Sequence, residues 1–158
     1  MITFRPMRED EYPAYLHYFV ADYAQEMAAN FRLSIEDSLA RAKQEIADYL
    51  PEGVNTPGHI LLCAIAKEDN SDRHVGYLWY KPDSAMKTVF IYDFHILNAY
   101  QGQGMGKLTL QAFEHAMRDE GFKQVSLRVA GDNQRARHVY EAVGFNVTGF
   151  NMSKSLGE

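Results

Sequence analysis

A glycine-rich segment in the second half of the chain has residue types suited to holding an anion. It reads Gln101-Gly102-Gln103-Gly104-Met105-Gly106-Lys107, follows an apolar strand-like run and opens an amphipathic helix. Glycines let the backbone approach a ligand closely and adopt positive φ, and the first N–H groups of a helix have no intrahelical acceptor. Phosphate and pyrophosphate groups bind at such helix N-termini. The segment therefore predicts a loop that binds a phosphate-bearing ligand.

Two common phosphate-binding patterns do not fit this loop. A Walker A loop has a glycine, four residues and then Gly-Lys-Ser/Thr, but here Gln101 stands at the first position and Leu108 follows the lysine. A dinucleotide fingerprint reads G-x-G-x-x-G, and counting from Gly102 puts Lys107 at the position of its last glycine. The spacing therefore excludes both the nucleoside-triphosphatase and the dinucleotide-binding interpretations.

A second block downstream narrows the choice of ligand. The loop fits Q-x-x-G-x-G over Gln101–Gly106, and Asn133–Phe145 fits N-x-x-A-x-x-x-Y-x-x-x-G-F. With these two blocks the chain resembles the GNAT superfamily of N-acetyltransferases, well over about Val89–Lys154 and in its first half only in the order of its elements. The resemblance implies an acyltransferase that binds acetyl-CoA and moves the acetyl group directly to a primary amine of a small molecule or a protein.

The resemblance also implies an α/β fold (an α+β sandwich), with a GNAT-type mixed, largely antiparallel sheet flanked by helices on both faces. At 158 residues the chain suits one such N-acetyltransferase domain over residues 1–158. Apolar periodicity and turn residues predict the individual elements. Strands are predicted at residues 2–5, 59–67, 74–80, 88–97, 125–129 and 145–154, and helices at residues 12–27, 35–50, 105–121 with Gly121 as a left-handed cap, and 133–143.

The family resemblance further implies which residues hold acetyl-CoA. Main-chain N–H groups of Gln103–Lys107 would hold the pyrophosphate, and the exposed backbone of the strand before the loop would pair with the pantetheine arm as another strand does. Lys107 either adds a charge to this contact or faces water. Asn133 would contact the pantetheine amide or cap its helix, and the two roles are compatible. The predicted cofactor-binding residues are Phe94, Ile96, Leu97, Gln101, Gly102, Gln103, Gly104, Met105, Gly106, Lys107 and Asn133.

Tyr140 is the predicted general acid. Asn133, Ala136 and Tyr140 are three and four residues apart, so they share one face of a helix. In the resembling family the matching tyrosine protonates the leaving thiolate. An unperturbed phenol has a pKa of about 10 against about 8.5 for a thiol, so this acid remains protonated at pH 7. Without the glycine loop, the same tyrosine would be interpreted as a packed core residue.

The general base is harder to assign from the sequence. Asp93 is the only acid in the strand before the loop and is the first candidate. Some polyamine-acetylating relatives carry two adjacent acids at this place, whereas Tyr92 occupies the partner position here, which leaves both the base and polyamine specificity open. His95 lies on the same strand face as Asp93 and is the alternative, with hydrogen-bonded packing as its simpler explanation.

A pocket for a cationic acceptor is the least specific of these predictions. Asp22, Tyr23 and Glu26 lie on the first predicted helix, and Trp79 and Tyr80 lie at the end of the third predicted strand. Aromatic faces attract ammonium groups, so the five residues together could line such a pocket. The alternative is an ordinary amphipathic helix beside an aromatic sheet. The remaining histidines have no metal-ligand spacing, and no metal site is predicted.

Composition argues against several other classes of function. A net charge of −5 and a pI near 5.7 are untypical of a nucleic-acid-binding protein, which needs a basic face. The single cysteine, Cys63, lies in an apolar run, so neither a disulfide framework nor thiol catalysis is expected. No apolar run approaches the ~20 residues of a membrane span, so a cytoplasmic protein without a membrane partner is expected.

Two rival interpretations keep the same fold. A non-catalytic acyl-CoA sensor or interaction module would retain the cofactor cleft without turnover, although Tyr140 speaks against it. An acyltransferase for longer or different acyl groups would keep every residue role and change only the donor. The sequence leaves open the identity of the amine acceptor and the oligomeric state, a homodimer included.

Overall fold

The computed structural model describes residues 1–157 and contains a five-stranded sheet with helices on both of its faces. The strands are β1 (Ile2–Pro6), β2 (Ile60–Glu68), β3 (Ser71–Asp83), β4 (Thr88–Ile96) and β5 (Gln124–Leu127). The helices are α1 (Tyr12–Phe31), α2 (Ile35–Tyr49), α3 (Met105–Asp119) and α4 (Gln134–Ala142), and short 3-10 turns lie at Glu9–Glu11, Gly53–Asn55 and Asn98–Tyr100. No helix among residues 1–157 is long and apolar enough to cross a membrane.

The strands lie in the order β1-β2-β3-β4-β5, and every neighbouring pair is antiparallel except β4 with β5. The predicted mixed, largely antiparallel sheet is therefore confirmed. The parallel pairing is short, because β5 meets only Thr88–Ile91 of β4. Beyond Ile91, the second half of β4 has a strand partner on the β3 side alone. This half of β4 leads directly to the glycine-rich loop.

Alternation along β3 separates two buried clusters, one on each face of the sheet. On one face Trp79 packs with Tyr15 of α1 and Ile46 of α2. On the other face Leu78 packs with Phe113 of α3. Side chains of α4 join this second cluster, so the helices divide as α1 and α2 against α3 and α4. The predicted helices on both faces are confirmed.

Local signals in the sequence account for the helix boundaries. The Ser34 hydroxyl accepts a hydrogen bond from the N–H of Asp37 at 3.1 Å and caps α2. Pro13 lies in the first turn of α1, where its missing N–H costs no hydrogen bond. Gly121 follows the end of α3 with φ of 91°, the left-handed cap expected there.

Two strands differ in length from the prediction. The hairpin between β2 and β3 turns at Asp69 and Asn70, and Asp69 has a φ of 50°, so β3 begins at Ser71 and not at His74. The far end of β3 continues to Asp83 because residues 80–83 pair with the start of β4. In contrast, β5 ends at Leu127, two residues early, where its pairing with β4 stops.

The predicted final strand at residues 145–154 is wrong, since this segment forms no regular structure. Gly144 has a φ of 103° and turns the chain, and the N–H of Phe145 donates to the carbonyl of Tyr140 at 3.0 Å. Residues 146–154 make no main-chain hydrogen bond to β5, and a cavity of about 760 Å³ is lined by both segments. Beyond Phe145 the large apolar side chains of the segment are exposed, and Phe150 is 76% exposed.

Candidate active site

The glycine-rich loop has the backbone conformation that its composition indicates. Gly102 and Gly104 have φ values of 76° and 77°, a region that residues with a Cβ seldom adopt, and Gly104 is the N-cap of α3. The Gln101 side-chain amide donates to the carbonyl of Ile96 at 2.7 Å. The Gln103 amide donates to the carbonyl of Ala99 at 3.3 Å. Gln101 therefore braces the loop against the end of β4, and Gln103 braces it against the 3-10 turn Asn98–Tyr100.

This bracing leaves a run of main-chain donors free at the start of α3. Within residues 1–157, the N–H groups of Gly102–Lys107 have no protein acceptor, and the first to bond back is that of Leu108, to the Gly104 carbonyl at 3.2 Å. A Cβ built on Gly102 or Gly104 would meet nothing within 4 Å, so the space beside the loop is open. Free donors and the positive end of the α3 dipole together suit an anion.

Met105, Gly106 and Lys107 begin α3, and the three residues have different surroundings. The Met105 side chain packs against a small buried group in β2 and β3. A Cβ on Gly106 would lie 3.6 Å from Val139 and 3.8 Å from Ile96, in ordinary van der Waals contact. Lys107 is exposed. The Met105 side chain therefore anchors the start of α3 to the sheet.

The unpaired half of β4 runs beside this loop and carries the predicted pantetheine partners. The strand bends here, because Tyr92 is an extra residue opposite the step from Trp79 to Tyr80 of β3. Phe94 lies beyond the last residue that β5 pairs. The carbonyl of Ile96 already accepts the Gln101 amide, and the N–H of Leu97 donates to Val75 at 2.8 Å. Ile96 therefore has its carbonyl in use, whereas Leu97 uses both main-chain groups, because its carbonyl also accepts the N–H of Tyr100 at 2.8 Å.

Asp93 lies on this same stretch of β4 and faces α1. Its carboxylate accepts hydrogen bonds from the phenols of Tyr15 at 2.9 Å and Tyr18 at 3.2 Å. Burial raises the pKa of Asp93 to about 7, the Tyr15 hydrogen bond opposes this rise, and the negative charge of Asp22 adds to it. A carboxyl with a pKa near 7 is partly ionised at neutral pH, as a general base must be.

Tyr140 is half-buried on α4 between two aromatic rings. Its ring centroid lies 6.4 Å from that of Phe94 and 5.7 Å from that of Phe145. Its hydroxyl has no hydrogen-bond partner within residues 1–157 and is not among the fully buried unsatisfied atoms. Burial raises the pKa of Tyr140, and the charges of Asp93 and Glu26 raise it further. The phenol therefore stays protonated and can donate.

The two remaining candidates at the cleft have clear structural roles. The Asn133 side-chain oxygen accepts the N–H of Ala136 at 3.1 Å and caps α4, one of the two roles predicted for it. The His95 ring stacks on Tyr18 with centroids 3.9 Å apart. Burial lowers the pKa of His95 to about 4, so its ring is neutral at pH 7. The stacking supports packing as the simpler explanation of His95.

The predicted acceptor pocket is wrong in its sheet residues. Trp79 and Tyr80 are buried, on opposite faces of the sheet, so they cannot line one pocket. Trp79 donates its indole N–H to His59 at 3.0 Å. The helix residues Asp22 and Glu26 do lie near Asp93, since their charges raise its pKa. Glu26 is also paired with Arg128 at 3.4 Å.

Sequence reasoning missed Tyr15 and Tyr18 as functional candidates. In the sequence they are two of several aromatic residues in the first predicted helix, and only their spacing of three residues indicates that they point the same way. It also missed Glu11, Cys63 and His74, whose potential ligand atoms lie within 4.8 Å of one another.

A guanidinium already occupies the cation position beside that group of three. The Arg5 side chain donates two hydrogen bonds to the Glu11 carboxylate, at 2.7 and 2.8 Å. Burial raises the pKa of Cys63 to about 11, so its thiol is protonated at neutral pH. Arg5 and Glu11 therefore form a partly buried ion pair that joins β1 to the turn before α1.

Comparison with known proteins decides the family. The model of the acetyltransferase (GNAT) family matches residues 4–145. This chain belongs to the GNAT acetyltransferase family. It is 37% identical over 157 residues to YycN of Bacillus subtilis, named an uncharacterized N-acetyltransferase, covering 98% of this chain and 99% of that one. A second B. subtilis protein named an uncharacterized N-acetyltransferase, YdgE, is 26% identical, covering 98% of each chain.

Solved structures of GNAT proteins share the fold. The crystal structure of B. subtilis YycN matches with a TM-score of 0.90 at 37% identity over the whole of both chains. The PaiA N-acetyltransferase of Thermoplasma acidophilum, solved with coenzyme A, has a TM-score of 0.66 at 17% identity, covering 96% of this chain and 93% of that one. At that identity the likeness concerns the fold alone. The predicted family and fold class are confirmed.

Proposed function

We propose that this protein transfers an acetyl group from acetyl-CoA directly to a primary amine. The observation that supports the proposal is the run of free N–H groups over Gly102–Lys107, beside the half of β4 that β5 does not pair. Asp93 and Tyr140 both border that half of β4, and they carry the proton-accepting and proton-donating groups that acyl transfer to an amine requires. Residues 1–158 would form one domain for this reaction.

Cofactor binding follows from the loop and from β4. The free N–H groups of Gly102–Lys107 would bind the pyrophosphate, helped by the α3 dipole. Main-chain groups of Phe94, Ile96 and Leu97 would hold the pantetheine arm, with Asn133 at the end of α4 beside it. The fold neighbour PaiA was solved with coenzyme A, which supports this choice of ligand. When bound, acetyl-CoA supplies a thioester carbonyl for attack and a thiolate leaving group.

Asp93 and Tyr140 would divide the proton transfers between them. Asp93 accepts a proton from the amine, whose ammonium form has a pKa of about 10.4 and costs roughly 4–5 kcal/mol to deprotonate at pH 7. The freed nitrogen forms the bond to the carbonyl carbon as the carbon–sulfur bond breaks. Tyr140 gives its proton to the departing sulfur, and the second proton that the nitrogen loses on becoming an amide returns the phenolate to its neutral form. Tyr140 starts fully protonated, and the ionised fraction of Asp93 is the active form of the base.

A covalent enzyme intermediate is not part of the proposal. Cys63 is fully buried in β2, and burial raises the pKa of its thiol to about 11. A protonated, inaccessible thiol is a poor nucleophile. The amine would therefore attack the thioester directly while both substrates are bound.

The test is the release of free thiol from acetyl-CoA with a library of amines, for the wild type, Tyr140→Phe and Asp93→Asn. The phenylalanine variant loses only the hydroxyl, so kcat should fall by roughly 100-fold or more while coenzyme A binding is kept. Tyr49→Phe, an exposed tyrosine on α2, is the matched control and should retain full activity. Tight coenzyme A binding without turnover on any amine would instead indicate the non-catalytic acyl-CoA sensor.

The finer points of the proposal stay predictions. A series of acyl-CoA competitors would identify an enzyme for longer acyl groups. The same amine library would rank the candidate acceptors, because a primary amine of a small molecule and one of a protein would compete for the same cleft. The homodimer and the cytoplasmic location stay predictions as well.

A further inference from the structure

The base proposed above is held by two phenols that the reaction itself does not use. Tyr15 donates to one carboxylate oxygen of Asp93 at 2.9 Å, and Tyr18 donates to the other oxygen at 3.2 Å. We infer that Tyr15 and Tyr18 are positioning residues, which fix the orientation of the Asp93 carboxylate and favour its charged form by donating to both of its oxygens. This inference rests on the proposed function.

Packing prevents either phenol from turning away. Tyr15 is fully buried, and its ring meets that of Tyr77 edge-on with centroids 4.9 Å apart. Tyr18 is stacked between His95, at 3.9 Å, and Tyr77, at 6.1 Å. Because residues three apart on a helix share a face, α1 presents both hydroxyls to the same carboxylate. With one donor on each oxygen, the carboxylate cannot rotate without breaking a hydrogen bond.

The phenols also oppose the effect of burial and of nearby negative charges on the pKa of Asp93. Burial and the nearby carboxylates of α1 favour its neutral form, whereas both phenol hydrogen bonds favour the ionised form. The neutral His95 ring contributes no charge. Loss of either hydroxyl would therefore raise the pKa of Asp93 above 7 and leave less base at neutral pH. Besides the two phenols, the titratable groups that act on Asp93 are Asp22, Glu26 and Tyr140. Arg128 is paired with Glu26, and His95 stacks on Tyr18.

The inference is tested by titrating the Asp93 carboxyl in the full chain by 13C NMR, with its signal assigned by comparison with Asp93→Asn. Tyr15→Phe and Tyr18→Phe should each raise the titration midpoint by about one pH unit, the worth of one hydrogen bond to a charged group. The acid limb of kcat/KM should move by the same amount, which lowers activity at pH 7 by about fivefold. The KM for acetyl-CoA should not change.

Tyr12→Phe is the matched control, because Tyr12 lies on the same helix with its ring 6.3 Å from that of Tyr15 but makes no hydrogen bond to Asp93. Its midpoint should equal that of the wild type. A merely structural role would change thermal stability without moving the midpoint. Tyr18 is half-buried, so Tyr18→Phe decides the question if Tyr15→Phe does not fold.

The outcomes separate this inference from the proposed function. If Asp93→Asn is inactive but the midpoint and pH profile of Tyr18→Phe match the wild type, the positioning role is refuted and the catalytic proposal stands. If Asp93→Asn retains wild-type turnover, Asp93 is not the base, and the positioning role is refuted with it. An upward shift in both phenol variants, absent from Tyr12→Phe, supports the inference.

Discussion

The glycines of the anion loop should respond differently to alanine, and the structure gives the size of each effect. Gly104 has a φ of 77° with open space beside it, so Gly104→Ala is strained by its backbone conformation and not by a clash. Left-handed backbone costs a residue with a Cβ about 1–2 kcal/mol. Relief of that strain would turn the free N–H groups of the loop away from a bound anion. Because loss of one charge-assisted hydrogen bond weakens binding by roughly 10- to 100-fold, the affinity of Gly104→Ala for coenzyme A should fall by about that much.

Gly106→Ala should have the opposite effect on stability. Gly106 lies inside the first turn of α3, and its new Cβ would lie 3.6 Å from Val139, in ordinary contact. Alanine favours a helix over glycine by about 0.8–1.0 kcal/mol. This variant should therefore be slightly stabilised and should bind coenzyme A as the wild type does.

Gly121→Ala is the control that separates strain from binding. Gly121 has a φ of 91° with open space beside it, but it lies at the far end of α3 from the loop. It should lose about as much stability as Gly104→Ala while keeping its coenzyme A affinity. The measurements are isothermal titration calorimetry with coenzyme A and urea unfolding of all three variants. Wild-type affinity in Gly104→Ala, or a matching loss of affinity in Gly121→Ala, would refute the assignment of this loop as the anion site.

Two further predictions concern the fold. Phe113→Ala removes a ring from the core between α3 and the sheet, where it meets the ring of Tyr80 with centroids 5.0 Å apart, and should lower the free energy of unfolding by about 3–5 kcal/mol. Leu108 is exposed on the same helix, so Leu108→Ala should change the free energy of unfolding by less than about 0.5 kcal/mol. Equal losses in urea unfolding would contradict this account of the core. Glu11→Gln should destabilise the protein at pH 7 by about 1–3 kcal/mol, because the Arg5 hydrogen bond lowers the pKa of Glu11 to about 2, below its ordinary value. The contribution of the Glu11 carboxylate to the free energy of unfolding is therefore present above about pH 4.5 and disappears as the pH falls through 2. Urea unfolding at pH 7 and pH 3 should therefore show a smaller gap between wild type and variant at pH 3, and an equal gap would rule out the ion pair as its cause.

The parts of the site that depend on local sequence were predictable. The φ values of Gly102 and Gly104, the start of α3 after them and the cap at Asn133 each depend on a few adjacent residues. Such features follow from glycine conformation and helix-end chemistry, which a short motif carries in full. The family resemblance rests on those same two blocks, which is why the fold class was predictable from them.

Features of the sheet that depend on a partner strand were not predictable from the sequence. A single extra residue, Tyr92, opposite the Trp79–Tyr80 step shifts the register of β3 against β4. Strict alternation cannot detect such a bulge, since the partner strand and not the strand's own pattern determines it. The predicted strand at residues 145–154 failed for a related reason. Its residues have strand-forming character, but residues 146–154 make no main-chain hydrogen bond to β5.

The proton affinity of Asp93 shows most clearly what sequence alone cannot supply. The phenol of Tyr15 that bonds to it lies 78 residues earlier in the chain, and neither glycine nor tyrosine motif includes it. A free aspartate has a pKa near 3.9 and would be a weak base, so the three-dimensional packing of α1 on β4 is what brings this carboxyl to about 7. Burial alone would carry the pKa higher still. The working pH of the proposed base is therefore determined by the balance between burial and the two phenols, and substitutions on α1 should tune it without any change in the glycine loop or in α4.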